Sequence, residues 1–514
     1  MDDKIGKWLA AWATNTGLRR IAQDCDRLNW TAEAGAVVDH GHEARFIERK
    51  KRLKDEGNGK LNCLLICNRN RNTICQSRRA SGFTVIEVCA VVALIGILVG
   101  LLLPAVQAAR EHARRTSCSN NLMQVAIGIR SYQAAHGHYP VQLHGTDGSV
   151  NVNEDNDRRL SYLVGVLPYI DQVNLADMIR GEVKRVDPPA GGGLGFMDSS
   201  EMLDADGDEL QSEDEAVEVR FWPRNGPEPF ADGYPGWRTE VPTFRCPSDP
   251  GSGYYSSRGR STGRSNYAAC LGDGCVAQET GPYKSVEGVF VFDEGLAKQT
   301  NAAMRGAFVP RVPTRDSDIT DGISYTLLLG EVCTSLGDQS VRTRPAIAKD
   351  KEQLLADPGL ARTVDYRRGK TGEAPLITRG YSSAWDTLED PQLMVNAGWN
   401  GSHERGLNWA DGMPLYTGFN TVLPPNREIV LSAARDDSWG VLPPSSYHPG
   451  GVNVAMVDGS VRYISDEIDA GDGHQPTVHL GSANPPGTRS PFGVWGAMGT
   501  RASKELEGVE PLSQ

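Results

Sequence analysis

From residue 88 to residue 103 the chain reads V-C-A-V-V-A-L-I-G-I-L-V-G-L-L-L, without one charged side chain. Extended to residues 83–106, the apolar run covers 24 positions, enough for a helix to cross a bilayer. Beyond Pro104 the pattern becomes amphipathic. Leu122, Val125, Ala126, Ile129 and Tyr132 recur at helical spacing, while Arg110, Arg114, Gln124 and Arg130 take the opposite face. His136-Gly137-His138-Tyr139-Pro140 then supplies stop signals. One helix from about residue 83 to 135 is expected, roughly 80 Å long at the usual rise. Its first half suits lipid, and its second half calls for a partner surface along the apolar stripe.

After the helix the pattern shortens to β-like runs between turns. Residues 286–292 and 326–331 read as strands. Residues 162–170 read as a further strand and 172–179 as a short helix. Residues 452–457 and 460–464 flank Asp458-Gly459, which predicts a hairpin closed by a two-residue type I′ turn. The expected class is α+β: a long N-terminal helix packed on a large, antiparallel, β-rich ectodomain. The expected organisation is a basic leader or mis-assigned start over 1–82, the helix over 83–136, and the ectodomain over 137–514. Insertions are expected near 186–240, rich in Gly, Pro and acids, and near 338–375, rich in charge.

Composition sharpens this picture. The chain has 57 Gly and 30 Pro, which suits a turn-rich ectodomain but falls short of low complexity. Residues 1–82 carry 16 Lys and Arg against 10 Asp and Glu; with −12 overall, the remainder holds −18. A basic flank before an apolar span stays on the cytoplasmic side. The acidic body excludes a nucleic-acid partner, which needs a basic surface. No Met falls between Met1 and Met123, so a start nearer the span would need another codon. Of 10 cysteines, Cys118, Cys246, Cys270, Cys275 and Cys333 lie beyond the span. Their spacing matches no zinc pattern, and an extracytoplasmic location permits disulfides whose pairing the sequence leaves open.

Two ordinary readings of the span compete. A cleaved signal peptide would use a small-residue site such as Ala105-Val106-Gln107-Ala108, and a plain signal anchor would need no site at all. Neither accounts for Glu87, a carboxylate inside the apolar segment, where a charge costs about 2.5–3.5 kcal/mol at mid-bilayer. Gly82-Phe83-Thr84-x-x-Glu87 before an apolar helix resembles the processing segment of type IV prepilins and type II secretion pseudopilins. The resemblance implies cleavage by prepilin peptidase between Gly82 and Phe83, N-methylation of Phe83, and a role for Glu87 in assembly with like or related subunits. It also implies a single-pass protein of the inner membrane with a periplasmic or surface ectodomain. Arg78 and Arg79 stand where the basic leader should be. The 82-residue leader departs from the family, whose leaders are usually short.

His448, nine residues, then Asp458-Gly459 resembles the H-x9-DG motif of a large bacterial family of unknown function whose members begin with the same segment. Further matches are Cys246-Pro247-Ser248-Asp249-Pro250, Ile319-Thr320-Asp321-Gly322-x-Ser324, Pro424-Pro425-Asn426, and Trp495-Gly496-Ala497-Met498-Gly499-Thr500-Arg501. The resemblance covers roughly residues 80–514 and supplies no reaction.

Candidate chemistry is sparse. His448 and Asp458 could form an acid–base pair or serve as metal ligands, but a turn-forming Asp458 and a hydrogen-bonded His448 explain both more simply. Asp204, Asp206 and Asp208 with Glu215 alternate like a calcium loop. Glu209 stands where that loop needs glycine, so the reading is a solvated acidic segment with no cofactor. Asp318 and Asp321 read as turn formers, and His136 and His138 as loop residues. No nucleophile elbow, zinc-protease motif or phosphate loop appears in a supporting context. The reading is therefore a pseudopilin-like structural protein and not an enzyme. The alternative is an anchored module that binds a ligand or glycan and uses the prepilin route for export. A secreted hydrolase built on His448 lacks a nucleophile.

Overall fold

A computed structural model of the chain describes residues 84–185, 220–363 and 404–504, apart from 150, 152, 254, 258, 259, 338 and 339, together with the short strand Leu393–Met394. Helix α1 spans Val85–His136, 52 residues, or about 78 Å at 1.5 Å per residue. It runs unbroken through Pro104. It ends where Gly137 takes φ +78° and its N–H donates to the Gln133 carbonyl at 2.7 Å, a glycine C-cap.

The two halves of α1 meet different surroundings. Residues 85–110 are exposed throughout. The buried positions begin at Cys118 and continue with Leu122, Val125, Ala126, Gly128 and Ile129, the stripe expected from its spacing. Each fully buried Leu, Val or Ile there stabilises the docking by about 1.5–3 kcal/mol. Gly128 lets the next elements approach: a Cβ at that position would lie 2.7 Å from Val166 Cγ1 and 2.8 Å from Ile170 Cγ2.

Those contacts come from α2, Tyr162–Val166, followed by a 3-10 turn over Leu167–Tyr169 and by α3, Val173–Arg180. The strand expected over 162–170 is thus a helical segment. Tyr162, Leu163, Val166 and Leu167 are all buried, so the run presents one helical face to α1 instead of alternating faces.

The stripe of α1 packs on a five-stranded sheet. Its strands are β1 (Tyr267–Cys270), β2 (Leu327–Glu331), β3 (Gly418–Phe419), β4 (Gly451–Met456) and β5 (Val461–Ser465), in spatial order β3-β1-β2-β4-β5. The β3–β1 pair is parallel and the rest are antiparallel. Strands β1, β2 and β4 are buried at every residue, because both faces are covered. Tyr267, Ala269, Leu329 and Ala455 join Leu122, Val125 and Ile129 of α1 in one core. Ala268, Cys270, Val452, Val454 and Met456 join Trp495 and Met498 from the helix Gly493–Gly499 in another.

The hairpin at Asp458-Gly459 is present, with Val454 opposite Arg462 and Ala455 opposite Val461. Its turn differs from the expected type I′. Gly459 N–H donates to Met456 O at 2.9 Å, and Gly459 takes φ +90° while Asp458 has no positive φ. That is a longer loop whose glycine occupies the left-handed position. Residues 286–292 are not one strand either. Glu287 and Gly288, at φ +52° and +79°, turn the chain between Tyr283–Val286 and Val289–Phe292. A second sheet orders Leu393–Met394, Ala346–Ala348, Val430–Leu431 and Gly440–Val441. The described part of the charged stretch over 338–375 therefore contributes an inner strand, along with buried Leu354 and Leu360. The fold is α+β, with a protruding helix whose C-terminal half backs a β-rich body.

Candidate functional site

The exposed half of α1 is apolar. Val85, Ile86, Leu94, Ile97 and Leu101 are each more than 60% exposed, and α1 is the one helix among the described residues long and apolar enough to cross a membrane. It is a candidate membrane anchor. Glu87 lies exposed in its first turn, where the helix dipole favours a carboxylate. Gly82 and Phe83 lie outside the described residues, as do Asp204, Asp206, Asp208 and Glu215.

The structure separates His448 from Asp458. Strand β4 runs between them, about 20 Å at 3.3 Å per residue. Asp458 accepts from Ser460 N–H at 2.8 Å inside its own turn. These bonds, with one to Ser324, outweigh burial and hold its carboxyl below the usual carboxylate range. Asp321 accepts from Ser503 N–H at 2.7 Å and Lys504 N–H at 2.6 Å, tying down the segment after the last helix. His136 bonds Tyr169 Oη at 3.1 Å beside the end of α1.

His448 instead enters a buried cluster at the seam between α1 and the sheet. Cys118 arrives from α1, Cys246 from the turn after the 3-10 segment Pro242–Phe244, Glu331 from the end of β2, and His448 from the residues leading into β4. One ligand-type atom from each lies within 4.8 Å of all the others, and all four residues are buried. His448 Nε2 is 3.4 Å from Cys246 Sγ and 3.6 Å from a Glu331 oxygen. The Cys118 thiol bonds Glu331 and lies 3.5 Å from Tyr267 Oη.

A surrounding layer fixes each member. Asn453 donates to Glu331 through its N–H at 2.8 Å and its Nδ2 at 2.9 Å. Tyr267 Oη donates to the Cys118 carbonyl at 3.0 Å, and Cys246 N–H donates to Asn266 Oδ1 at 2.9 Å. His448 N–H donates to Ser446 Oγ at 3.1 Å. On the outer side, His448 Nδ1 meets Glu111 Oε1 at 2.7 Å. Glu111 also pairs with Arg114 at 2.6 Å and stays about a quarter exposed, at 26%.

The electrostatics are strongly coupled. Burial pushes the Cys118 thiol well up, with Cys246 and the Glu331 charge adding to the effect. The bond from Cys118 and the nearby imidazole pull Cys246 down against its burial. Burial opposes a charged His448, but Cys246, Glu331 and Glu111 overcome it and raise the imidazole to about 9. Bonds to His448 and Arg114 likewise overcome burial and lower Glu111. Two thiols, a carboxylate and an imidazole are thus buried side by side, each held by contacts from outside the cluster.

The family resemblance singled out His448 and, in Cys246-Pro247-Ser248-Asp249-Pro250, Cys246, but not Cys118, Glu331 or Glu111. The usable signals were a carboxylate closing the apolar run Leu327-Leu328-Leu329-Gly330, and a cysteine one helical turn before Leu122 on the buried stripe. Of the other described cysteines, Cys89 is exposed on α1, and Cys270, Cys275 and Cys333 are buried free thiols whose burial pushes them up.

Comparison with known proteins bears on the family. The chain is 32% identical over 76 residues to "Type II secretion system core protein G" of Aeromonas hydrophila, which is 15% of this chain and 53% of that protein. It is 32% identical over 75 residues to the protein of the same name from Pseudomonas aeruginosa, with the same shares. The chain thus spans about half the length of the curated relatives it matches. No solved structure matches it. The family model described as "Protein of unknown function (DUF1559)" aligns with residues 107–471, about seven-tenths of the chain. That alignment takes in the docked half of α1, the sheet and all four members of the buried cluster, and on it the chain belongs to the DUF1559 family.

Proposed function

We propose that the chain is a membrane-anchored, pseudopilin-like structural or assembly subunit of a type II secretion or type IV pilus-like system. In this reading prepilin peptidase cuts between Gly82 and Phe83, and Phe83 becomes the N-methylated first residue. Residues 83–106 lie in the inner membrane, the body stands on the periplasmic side or at the cell surface, and the protein carries no reaction of its own. Glu87 neutralises the terminal amine of a neighbouring subunit, since two charges that would each be penalised in lipid relieve one another when paired.

The observation that carries the reading is the division of α1. Residues 85–110 present apolar side chains outward, and the same helix then docks a buried stripe from Cys118 to Ile129 on the sheet. An isolated helix exposing that much apolar surface in water is unfavourable, and lipid or neighbouring helices would cover it. The local similarity to core protein G supports the same assignment. Intact-mass and N-terminal analysis of the chain extracted from membranes tests it. A mature chain starting at methylated Phe83 is expected. A chain that begins elsewhere and carries no methyl group overturns the processing route.

A further inference from the structure

We propose that Cys118, Cys246, Glu331 and His448 form a structural binding site for a zinc-class divalent cation, which clamps α1 to the sheet. The inference goes beyond the anchoring role and does not depend on the processing route.

The donor set fits the ion. Zinc prefers four ligands in a tetrahedral arrangement drawn from thiolate, imidazole and carboxylate, at about 2.0–2.3 Å from the metal. Any two ligands of a tetrahedral ion with bonds of that length stand roughly 3.3–3.8 Å apart. The distances of 3.4 Å from His448 Nε2 to Cys246 Sγ and 3.6 Å to Glu331 already match that spacing. All four candidate atoms fall within 4.8 Å of one another, so small side-chain rotations complete the set. Two sulfurs with nitrogen and oxygen favour zinc over calcium or magnesium, which prefer oxygen throughout.

The outer contacts have the form that metal sites require. A ligating histidine donates its second ring N–H to a carboxylate, which fixes the tautomer and strengthens the ligand. Here Nδ1 faces Glu111 at 2.7 Å and Nε2 faces Cys246 and Glu331, so an incoming cation that displaces the Nε2 proton meets a lone pair already aimed at the other ligands. Glu331 is held twice by Asn453, and Cys246 is held through Asn266. Glu331 is 1% exposed in its side chain, and among the described residues its ion-pair partner is this imidazole. Once that imidazole gives up a proton to ligate, the buried carboxylate needs another cation, and the metal supplies it. On binding, the protons held by the two thiols and by His448 Nε2 leave for solvent, and the cation takes up the two sulfur charges and the Glu331 charge.

The ligands come from α1, the 242–246 turn, β2 and the approach to β4, so one ion would join four separate parts of the fold. Glu111 is the positioning residue: it does not reach the metal position but aims the histidine.

The test uses the full chain, extracted in detergent and purified without chelator. Elemental analysis is expected to find about one zinc per chain. Stripping the metal and adding cobalt(II) is expected to give thiolate-to-metal absorption in the near ultraviolet and the visible bands of a tetrahedral site. Cys246→Ser and His448→Ala should lose the metal, whereas Cys89→Ser, on the exposed apolar half of α1, should retain it. Glu111→Ala should weaken cobalt affinity by roughly 10–100-fold while leaving the band shape unchanged. Wild-type measurements alone decide the question if variants fail to fold. Metal-free protein that takes up neither ion while its thiols stay reactive overturns the proposal. So does protein two hydrogens lighter with Cys118 joined to Cys246 as a disulfide.

Discussion

Replacing Gly128 by alanine tests how α1 is seated on the body. The added Cβ would lie 2.7 Å from Val166 Cγ1 and 2.8 Å from Ile170 Cγ2. Carbon pairs are most favourable near 3.5–4.0 Å, so the methyl intrudes by about 1 Å on both. Val166 is β-branched and fully buried, which leaves it little freedom to swing aside. Overpacking of this kind costs about 1–3 kcal/mol. Against it, alanine gains about 0.8–1.0 kcal/mol over glycine within a helix. The expected net is a loss of roughly 0–2 kcal/mol where propensity alone predicts a gain. Gly128→Leu should lose about 3 kcal/mol or more. Urea unfolding of the detergent-extracted chain can be followed by the emission of Trp237 and Trp409, which are buried in the same core as the stripe. A double-mutant cycle isolates the contact: in a Val166→Ala background, Gly128→Ala should be milder by about 1 kcal/mol. A Gly128→Ala chain stabilised by the full propensity gain, with no coupling to Val166, would refute the seating described here.

Two further outcomes follow from particular side chains. Glu279 is mostly buried, its Oε2 lacks a hydrogen-bond partner, and burial, reinforced by Asp437, raises it to about 7. Its folded value lies above its ordinary 4.5, so the stability it contributes is fully present below that value and is lost as pH rises through 7. The loss should be about 2–3 kcal/mol, and Glu279→Gln should flatten that part of the stability–pH curve measured in urea; an unchanged slope contradicts the assignment. Glu87→Gln should leave membrane retention intact yet abolish cross-links between neighbouring subunits, because the neutral amide no longer balances a buried amine; undiminished cross-linking removes the role proposed for Glu87.

The long helix was legible because its signals are local and redundant. Sixteen positions without charge, from residue 88 to 103, leave lipid as the natural surroundings, and the spacing from Leu122 to Ile129 marks one face. The hairpin around Asp458-Gly459 was legible for a similar reason, but its turn type was not. Asp458 and Gly459 fit either loop, and the choice rests on where Met456 and Ser460 bond across the ladder. Residues 162–170 were misread because a short apolar run carries no period of its own. The run became helical because Gly128 offers a recess on α1 that Val166 and Ile170 fill from one side.

The buried cluster was illegible for a different reason. Its members sit at positions 118, 246, 331 and 448, so no spacing rule for closely placed ligands reaches them. They meet because the sheet puts β2 beside both β1 and β4, with α1 laid across that face. What the sequence did carry was a local inconsistency: Glu331 ends a strand otherwise fit for a two-sided core, and Cys118 sits on a stripe of aliphatic residues. Each choice costs stability if read alone, since a carboxylate and a thiol replace groups that would pack without penalty. Together they form one bonded cluster, with Glu331 held by Asn453, Cys118 and His448, and that cluster is the set proposed to take a cation. The same inconsistency at Glu87, a charge in a helix otherwise fit for lipid, points outward to a neighbouring subunit. The two anomalies therefore divide along α1 as its surroundings do: the one in the exposed half calls for a partner outside the chain, and the one in the docked half calls for a ligand within it.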